Sequence, residues 1–337
     1  MRPARHAARR LSTTSAHSLK RQQSLAFARP VDNAGVVRAI VDPSFELQNT
    51  IFKTLPAGSM LEKVQKTKLD SVLEWTPAIR EQIEEAYTSL PPHTFEDADL
   101  HAFMKDECDF AMEHADGSFL EHLHFCRDFT ALHYPTGKPR VMLMHSICGV
   151  GTNCFPMRAD QLPRLAQLLP PDEMAQVQAF PSLLRLLVHG PLLDELDALS
   201  HSPEAVRSLR GVRCHRLLDN EPLVLDGPQL WEALNYQLIH AIDFLPAAAW
   251  QRTSNDFFFH LFARLHEVLT RAGERHANVG WESGWARPDT SGARPPTWRH
   301  WAVDMLPSSL VVRLAAKQVA RYSADIGHSL EYEVLRT

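Results

Sequence analysis

The sequence predicts a mostly α-helical protein with one small β-hairpin. Apolar residues recur at helical spacing along much of the chain, as in "PAIREQIEEAYTSL", where Ile79, Ile83 and Ala86 share one stripe. The exception is "VRCHRLLDNEPLVLD", in which two apolar runs flank a turn-forming DNEP sequence at 219–222 and predict a hairpin. With 337 residues, the chain is long enough for one large or two modest hydrophobic cores.

The composition argues against several classes of protein. It is that of an ordinary globular chain, 45% hydrophobic and 22% charged, with a net charge of -5. This charge lacks the basic footprint of a nucleic-acid-binding protein, so we predict no nucleic-acid partner. No apolar run reaches the roughly 18 residues of a membrane helix, so we predict no membrane partner. The cysteines form no CxxC pair, which favours reduced thiols in an intracellular compartment.

The segment 1–31 differs in composition from the remainder of the chain. It contains six arginines and one lysine among several serines and threonines, and the first carboxylate is Asp32. Segments rich in arginine and serine and poor in acids are typical of organelle transit peptides. We therefore predict import into a mitochondrion or a plastid. The alternative is a disordered basic tail on a cytoplasmic protein.

Helical periodicity continues through much of the rest of the chain. Later helices are predicted near 158–168, 171–188, 227–244, 254–272 and 307–323. The segment 280–301 carries four tryptophans among glycines and prolines, which predicts a long ordered loop. This loop either wraps over the core or forms a lid over a pocket.

The stretch "DGSFLEHL" predicts the start of a helix, with an S-x-x-E capping box that begins at Ser118. From this start, His122, Cys126 and Phe129 fall on one broad apolar stripe. His124 lies about 200° around the helix from His122 and points away from that stripe. The spacing therefore predicts that His122 faces the core.

A second helix is predicted from Pro139, a residue that suits the first turn. The segment 141–144 is apolar on every side, so we expect this helix to be buried. Gly149 is the predicted stop, and His145 lies in the last turn. A buried histidine at this point needs a hydrogen-bond partner or a metal ion.

Together, "DGSFLEHL" and "RVMLMHS" resemble the start of the HD superfamily of metal-dependent phosphohydrolases. In that superfamily, a histidine on one helix and a His-Asp pair on the next bind a divalent metal, and a distant aspartate completes the site. The pattern is similar to the hydrolase domain of the ppGpp stringent-response enzymes. It is more similar to an uncharacterised HD-like family of bacteria and algae that lacks the aspartate of the pair. The resemblance covers about residues 96–250 and implies an HD-like helical bundle as the core of the protein. It leaves an N-terminal helical extension over 32–95 and C-terminal helices with the tryptophan-rich loop over 251–337.

The resemblance implies that His122 and His145 bind a divalent metal such as Mn, Fe, Co or Zn. A later helix would supply the distant ligand, with Asp243 as the charged candidate and Asn235 as a neutral one. Ser146 stands where the superfamily has its aspartate, and a hydroxyl is a poorer ligand for a hard cation than a carboxylate. Two outcomes stay open: a weak metal site of two histidines and Asp243, or a neutral polar cluster without metal.

Two functions follow from this interpretation. As an enzyme, the protein would use metal-bound water to attack the phosphorus of a nucleotide or another phosphate ester. Arg127 or Arg140 would then contact phosphate oxygens. The alternative is a non-catalytic domain that binds a small ligand in the same pocket or serves as an interaction scaffold. The spacing also permits a zinc site of two histidines and two cysteines, namely His122, Cys126, His145 and Cys148.

Overall fold

The computed structural model describes residues 97–108, 118–149, 155–244, 257–279, 298 and 305–337. The predictions for the basic segment 1–31 and for the extension 32–95 lie outside the described residues. The tryptophan-rich segment 280–301 also lies outside them, apart from Trp298.

The described chain is mostly helical, which confirms the predicted fold class at that level. The elements follow in this order: α1 Ala98–Ala102, a π-helical turn Phe103–Glu107, α2 Ser118–His133, α3 Pro139–Met144, a 3-10 turn Ala159–Gln161, α4 Leu162–Leu168, α5 Pro171–His189, α6 Pro191–Ser200, α7 Pro203–Ser208, β1 Leu209–His215, β2 Pro222–Asp226, α8 Gly227–Phe244, α9 Phe257–Ala272, α10 Ser308–Asp325 and β3 Glu333–Arg336. The helices predicted from 158 onward agree with α4, α5, α8, α9 and α10 to within a few residues. Helices α6 and α7 were not predicted.

The strands form one small antiparallel sheet in the order β2-β1-β3. Val212 on β1 pairs with Leu225 on one side and with Val334 on the other. The hairpin of β1 and β2 confirms the predicted one, and Asn220 in its turn adopts a left-handed φ of 62°, a conformation that asparagine tolerates. The third strand, which comes from the end of the chain, was not predicted.

Helix α8 is the central element of the core. Every residue from Ala233 to Ala241 is buried, and this length covers all faces of a helix because one turn takes 3.6 residues. Helices α2, α5 and α9 and strand β1 pack against α8. The amide of Gln237 donates to the carbonyl of Phe180 at 2.9 Å, beside Pro181 in the interior of α5. A polar side chain of α8 thus bonds the backbone of α5 at its proline.

Two features bear on the remaining predictions. None of the cysteines in the described residues forms a disulfide, and all four of them are buried: Cys108, Cys126, Cys148 and Cys214. No helix within the described ranges is long and apolar enough to span a membrane.

Candidate metal centre

Three buried histidines meet in the core. His122 comes from the first half of α2, His145 follows the last residue of α3, and His240 comes from the last two turns of α8. One ring nitrogen of each lies within 4.8 Å of the others. The three side chains are 7%, 0% and 6% exposed, respectively. This group is the candidate metal centre.

The three rings are arranged edge to face. Their centroids are 4.9 to 5.1 Å apart and their planes cross at 73° to 78°. The Nε2 atoms of His122 and His145 are 3.1 Å apart. Two nitrogens on one tetrahedral zinc ion are separated by about 3.3 Å when each bond is about 2.0–2.1 Å. The observed separation therefore suits two ligands of one ion, and it also suits a hydrogen bond between the two rings.

The backbone at the end of α3 orients His145. Its Nδ1 donates to the carbonyl oxygen of Met142 at 2.6 Å, one of the last helical carbonyls, which have no partner within the helix. With its proton on Nδ1, the ring presents an unprotonated Nε2 to the cluster. Metal-binding histidines are commonly held in this way by a carbonyl acceptor. The short helix therefore fixes both the position and the tautomer of His145.

The surroundings favour neutral imidazoles. Burial, and then the neighbouring His122 ring, lower the pKa of His145 well below its usual value. Burial, and then the His145 and His122 rings, lower the pKa of His240 in the same way. The Phe180 ring packs on both of them, with centroids 4.6 Å from His145 and 5.1 Å from His240. A neutral imidazole is the form that binds a metal ion.

Of the predicted metal ligands, His122 and His145 lie together in the structure. Asp243 lies in α8 three residues after His240, but its side chain is outside the described residues. Its role as a ligand stays a prediction. Ser146 is buried next to His145, at 4% exposure, and its carbonyl oxygen accepts from the amide of Gly149 at 3.1 Å.

Asn235 was predicted as the neutral candidate for the distant ligand, and the structure gives it backbone partners. Its Nδ2 donates to the carbonyls of Trp231 and Glu274 at 2.8 and 2.9 Å. Its Oδ1 accepts from the amides of His276 and Ala277 at 3.0 and 2.9 Å. Three of these bonds hold the segment after α9 against α8, and the fourth lies within α8. Both ends of the amide are therefore engaged by the chain itself.

The two predicted phosphate-binding arginines each face carboxylates. Arg127 is buried, with its guanidinium 3.2 Å from Asp128 and 4.0 Å from Asp97. Arg140 donates to Glu173 at 2.8 Å, and this bond is the main cause of the raised pKa of Arg140. Both cations are therefore balanced by carboxylates within the protein.

The predicted zinc set of two histidines and two cysteines is not assembled as a group. The Sγ atom of Cys126 lies 3.9 Å from each ring nitrogen of His122. Cys148 has Arg216, Asp219 and Cys108 as its electrostatic neighbours, and burial raises its pKa to about 12. Cys126 thus adjoins His122, whereas Cys148 lies near the hairpin turn.

His240 is the member of the cluster that the sequence analysis missed. The candidates predicted near this part of the chain were Asn235 and Asp243, and His240 lies on a different face of the helix from Asn235, about 140° around it. The sequence held a signal, because "ALNYQLIHAI" is apolar on nearly every side and such a helix is buried all round. A polar residue on its second face is then as buried as one on the first.

A cavity of about 250 Å³ lies away from this centre. It is formed at the β1–β2 turn and after the end of α10, and its lining residues are Phe155, Leu217, Leu218, Asp219, Asn220, Ile326 and His328. None of the three clustered histidines lines it.

Comparison with known proteins gives no relative from which the role of these residues could be inferred. No protein-family model, no curated protein and no solved structure matches the chain.

Proposed function

We propose that this protein binds one divalent transition-metal ion in its core through His122, His145 and His240. The observation that carries the proposal is the convergence of three buried imidazoles, one from each of three helical segments, with ring nitrogens within 4.8 Å of one another. Imidazole nitrogens suit Zn²⁺, Co²⁺, Fe²⁺ or Cu²⁺ better than Mg²⁺ or Ca²⁺. A bound ion would link α2, α3 and α8 and would stabilise the fold by mass action.

Metal analysis of the purified protein tests this proposal. We expect one zinc ion per chain after stripping and reloading, and we expect His240→Ala to abolish stoichiometric binding. His328→Ala is the matched control, because His328 is also 6% exposed but bonds the backbone of His215. The proposal fails if the wild-type protein retains no more zinc than the His240→Ala variant.

A metal-dependent phosphohydrolase is the second candidate function, and the number of histidines favours it. Catalytic zinc sites use three protein ligands and leave the fourth position to water, whose pKa the metal lowers to about 7. His122 and His145 are also the pair on which the HD-like resemblance rests. In this function, the metal would activate water for attack on the phosphorus of a nucleotide or another phosphate ester.

The ion pairs of the two predicted phosphate-binding arginines set a condition on that activity. Arg127 and Arg140 already face carboxylates, so a phosphate would have to compete with Asp97 and Asp128, or with Glu173, for these guanidinium groups. A phosphohydrolase that uses either arginine therefore requires the exchange of an internal ion pair for the substrate.

Turnover assays separate the two functions. Protein loaded with Zn²⁺, Co²⁺ or Mn²⁺ would be assayed with p-nitrophenyl phosphate, with bis-p-nitrophenyl phosphate and with a panel of nucleotides. The enzyme function predicts turnover that His240→Ala removes and His328→Ala keeps. A fully loaded protein without turnover would identify a non-catalytic metal-binding domain.

A further inference from the structure

We propose that Cys126 is the fourth ligand of the metal ion, bound as a thiolate. This inference rests on the metal centre of His122, His145 and His240 proposed above. It assigns the coordination sphere as three imidazoles and one sulfur. It also names the class of metal as borderline or soft transition ions, with Zn²⁺ and Co²⁺ ahead of Mn²⁺ and Mg²⁺.

The position of Cys126 on α2 supports this role. Cys126 is four residues after His122, and side chains at that spacing lie on the same face of a helix. Its Sγ is 3.9 Å from Nε2 of His122, and the side chain is 0% exposed. In a tetrahedral zinc site, a sulfur at about 2.3 Å and a nitrogen at about 2.0–2.1 Å from the ion are about 3.5 Å apart. The sulfur is also 3.9 Å from Nδ1 of the same ring and does not join the three ring nitrogens that lie within 4.8 Å of one another. Coordination therefore requires the Cys126 side chain to move towards Nε2 of His122.

The charge of the site supports a thiolate ligand as well. Three neutral imidazoles leave the full +2 charge of the ion in the core, and burying an uncompensated charge is costly. Within the described part of the chain, no carboxylate joins the three histidines. A thiolate would reduce the charge of the centre to +1, whereas a water molecule would leave it at +2.

Binding then follows a balanced proton exchange. The S–H bond of Cys126 breaks, a sulfur–metal bond forms, and the proton leaves to solvent. Zinc binding in weakly buffered solution should therefore release one proton that comes from Cys126. No oxidant or reductant takes part.

Coordination by Cys126 is incompatible with the phosphohydrolase function, because both require the fourth position of the metal ion. A sulfur in the fourth position closes a tetrahedral centre, as in structural zinc sites, whereas hydrolysis requires that position for water. The assignment of Cys126 therefore favours the non-catalytic metal-binding domain, and one set of experiments tests both.

Cobalt substitution of the whole protein gives the most direct test. We expect Co²⁺-loaded wild-type protein to show a thiolate-to-cobalt charge-transfer band in the near ultraviolet. Cys126→Ser should lose this band and bind zinc at least about 100-fold more weakly, since even mutation of outer-shell partners costs 10–100-fold. Cys148→Ser is the matched control, because Cys148 is equally buried yet faces Arg216 and Asp219, and it should keep both the band and the affinity.

A second measurement avoids any substitution. X-ray absorption of the zinc-loaded wild-type protein should require one sulfur neighbour at about 2.3 Å beside nitrogens at about 2.0–2.1 Å. If the protein binds metal but shows neither the sulfur neighbour nor the charge-transfer band, the role of Cys126 is overturned and the histidine centre stands. If the protein binds no metal at all, both proposals are overturned.

Discussion

Residue 235 must carry an amide side chain, because both its NH₂ group and its oxygen make hydrogen bonds. The NH₂ group of Asn235 serves two carbonyls and its oxygen serves two backbone amides. After α9, the carbonyl of Glu274 and the amides of His276 and Ala277 would otherwise lose this partner, and an unsatisfied buried group costs about 1–3 kcal/mol. The Asn235 side chain therefore joins α8 to the segment that follows α9 by hydrogen bonds.

This role predicts a loss of stability without a loss of metal. Asn235→Ala should lower the free energy of unfolding by about 3 kcal/mol, because one buried and two partly buried backbone groups after α9 lose their partner. Urea unfolding measures this change, and zinc stoichiometry should stay at the wild-type value. If the variant kept its stability but lost zinc, Asn235 would belong to the metal site and would not be a structural connection between α8 and the segment after α9.

The candidate site was partly predictable from single residues. The phase of α2, set from Ser118, placed His122 on the buried face, and the apolar segment before His145 placed that residue in the core. Spacing along one helix cannot show which backbone groups a side chain will meet across the fold. Three of the four partners of Asn235 come from residues about 40 positions away, and no local pattern encodes them.

At the scale of elements, helices and strands could be predicted from the sequence where the segment was long and its apolar residues were regularly spaced. Helices α5, α8 and α9 have long apolar patterns and were predicted to within a few residues. Strand β3 has four residues and pairs with β1 more than 100 positions earlier. So short a segment carries little pattern of its own, because strand formation depends on packing against its neighbours. Helix α6 is a different case, since the spacing of Leu192, Leu196 and Leu199 was visible in the sequence and was overlooked.

Strand β1 contains a glycine that its neighbour β2 requires. Gly211 has a φ of +142°, and a Cβ atom at this position would meet the backbone of β2, with Asp226 Cα at 2.9 Å and the carbonyl oxygen of Leu225 closer still. Gly273, just after α9, also has a positive φ, of +75°, but a Cβ there meets nothing within 4 Å. A substitution at Gly273 therefore tests the cost of backbone conformation alone, whereas a substitution at Gly211 tests that cost together with steric contact.

An alanine at each glycine should have unequal effects on stability. Gly273→Ala adds only the conformational cost of about 1–2 kcal/mol. Gly211→Ala adds overpacking of about 1–3 kcal/mol to a conformational cost of about 1–3 kcal/mol at its larger φ, so we expect a total of about 2–6 kcal/mol. Urea unfolding of both variants gives the comparison. Equal losses at the two positions would mean that β2 can move away from β1 at little cost.

At the scale of the whole molecule, a buried polar chain joins the C-terminal segment to the core. Arg185 on α5 donates to the hydroxyl of Ser323 on α10 at 3.1 Å, and Nδ1 of His328 lies 3.4 Å from the same hydroxyl. The Nε2 atom of His328 donates to the carbonyl of His215 on β1 at 3.1 Å. A helix of the core, the last helix and the sheet thus meet at His328, after which the chain continues into β3.

This connection predicts an acid-dependent loss of stability. Burial is the main cause that lowers the pKa of His328, to about 4. The hydrogen bond to the His215 carbonyl raises the pKa, whereas the charges of Arg185 and His215 lower it further. The unfolded chain has a histidine pKa of about 6.5, so it binds more protons than the folded protein between these values. The contribution of His328 is therefore complete above pH 6.5 or so and declines as the pH falls towards 4. In metal-free protein, the difference in unfolding free energy between wild type and His328→Gln should shrink over this interval, with the exposed His201→Gln as the control. Parallel stability curves for wild type and His328→Gln would contradict this prediction.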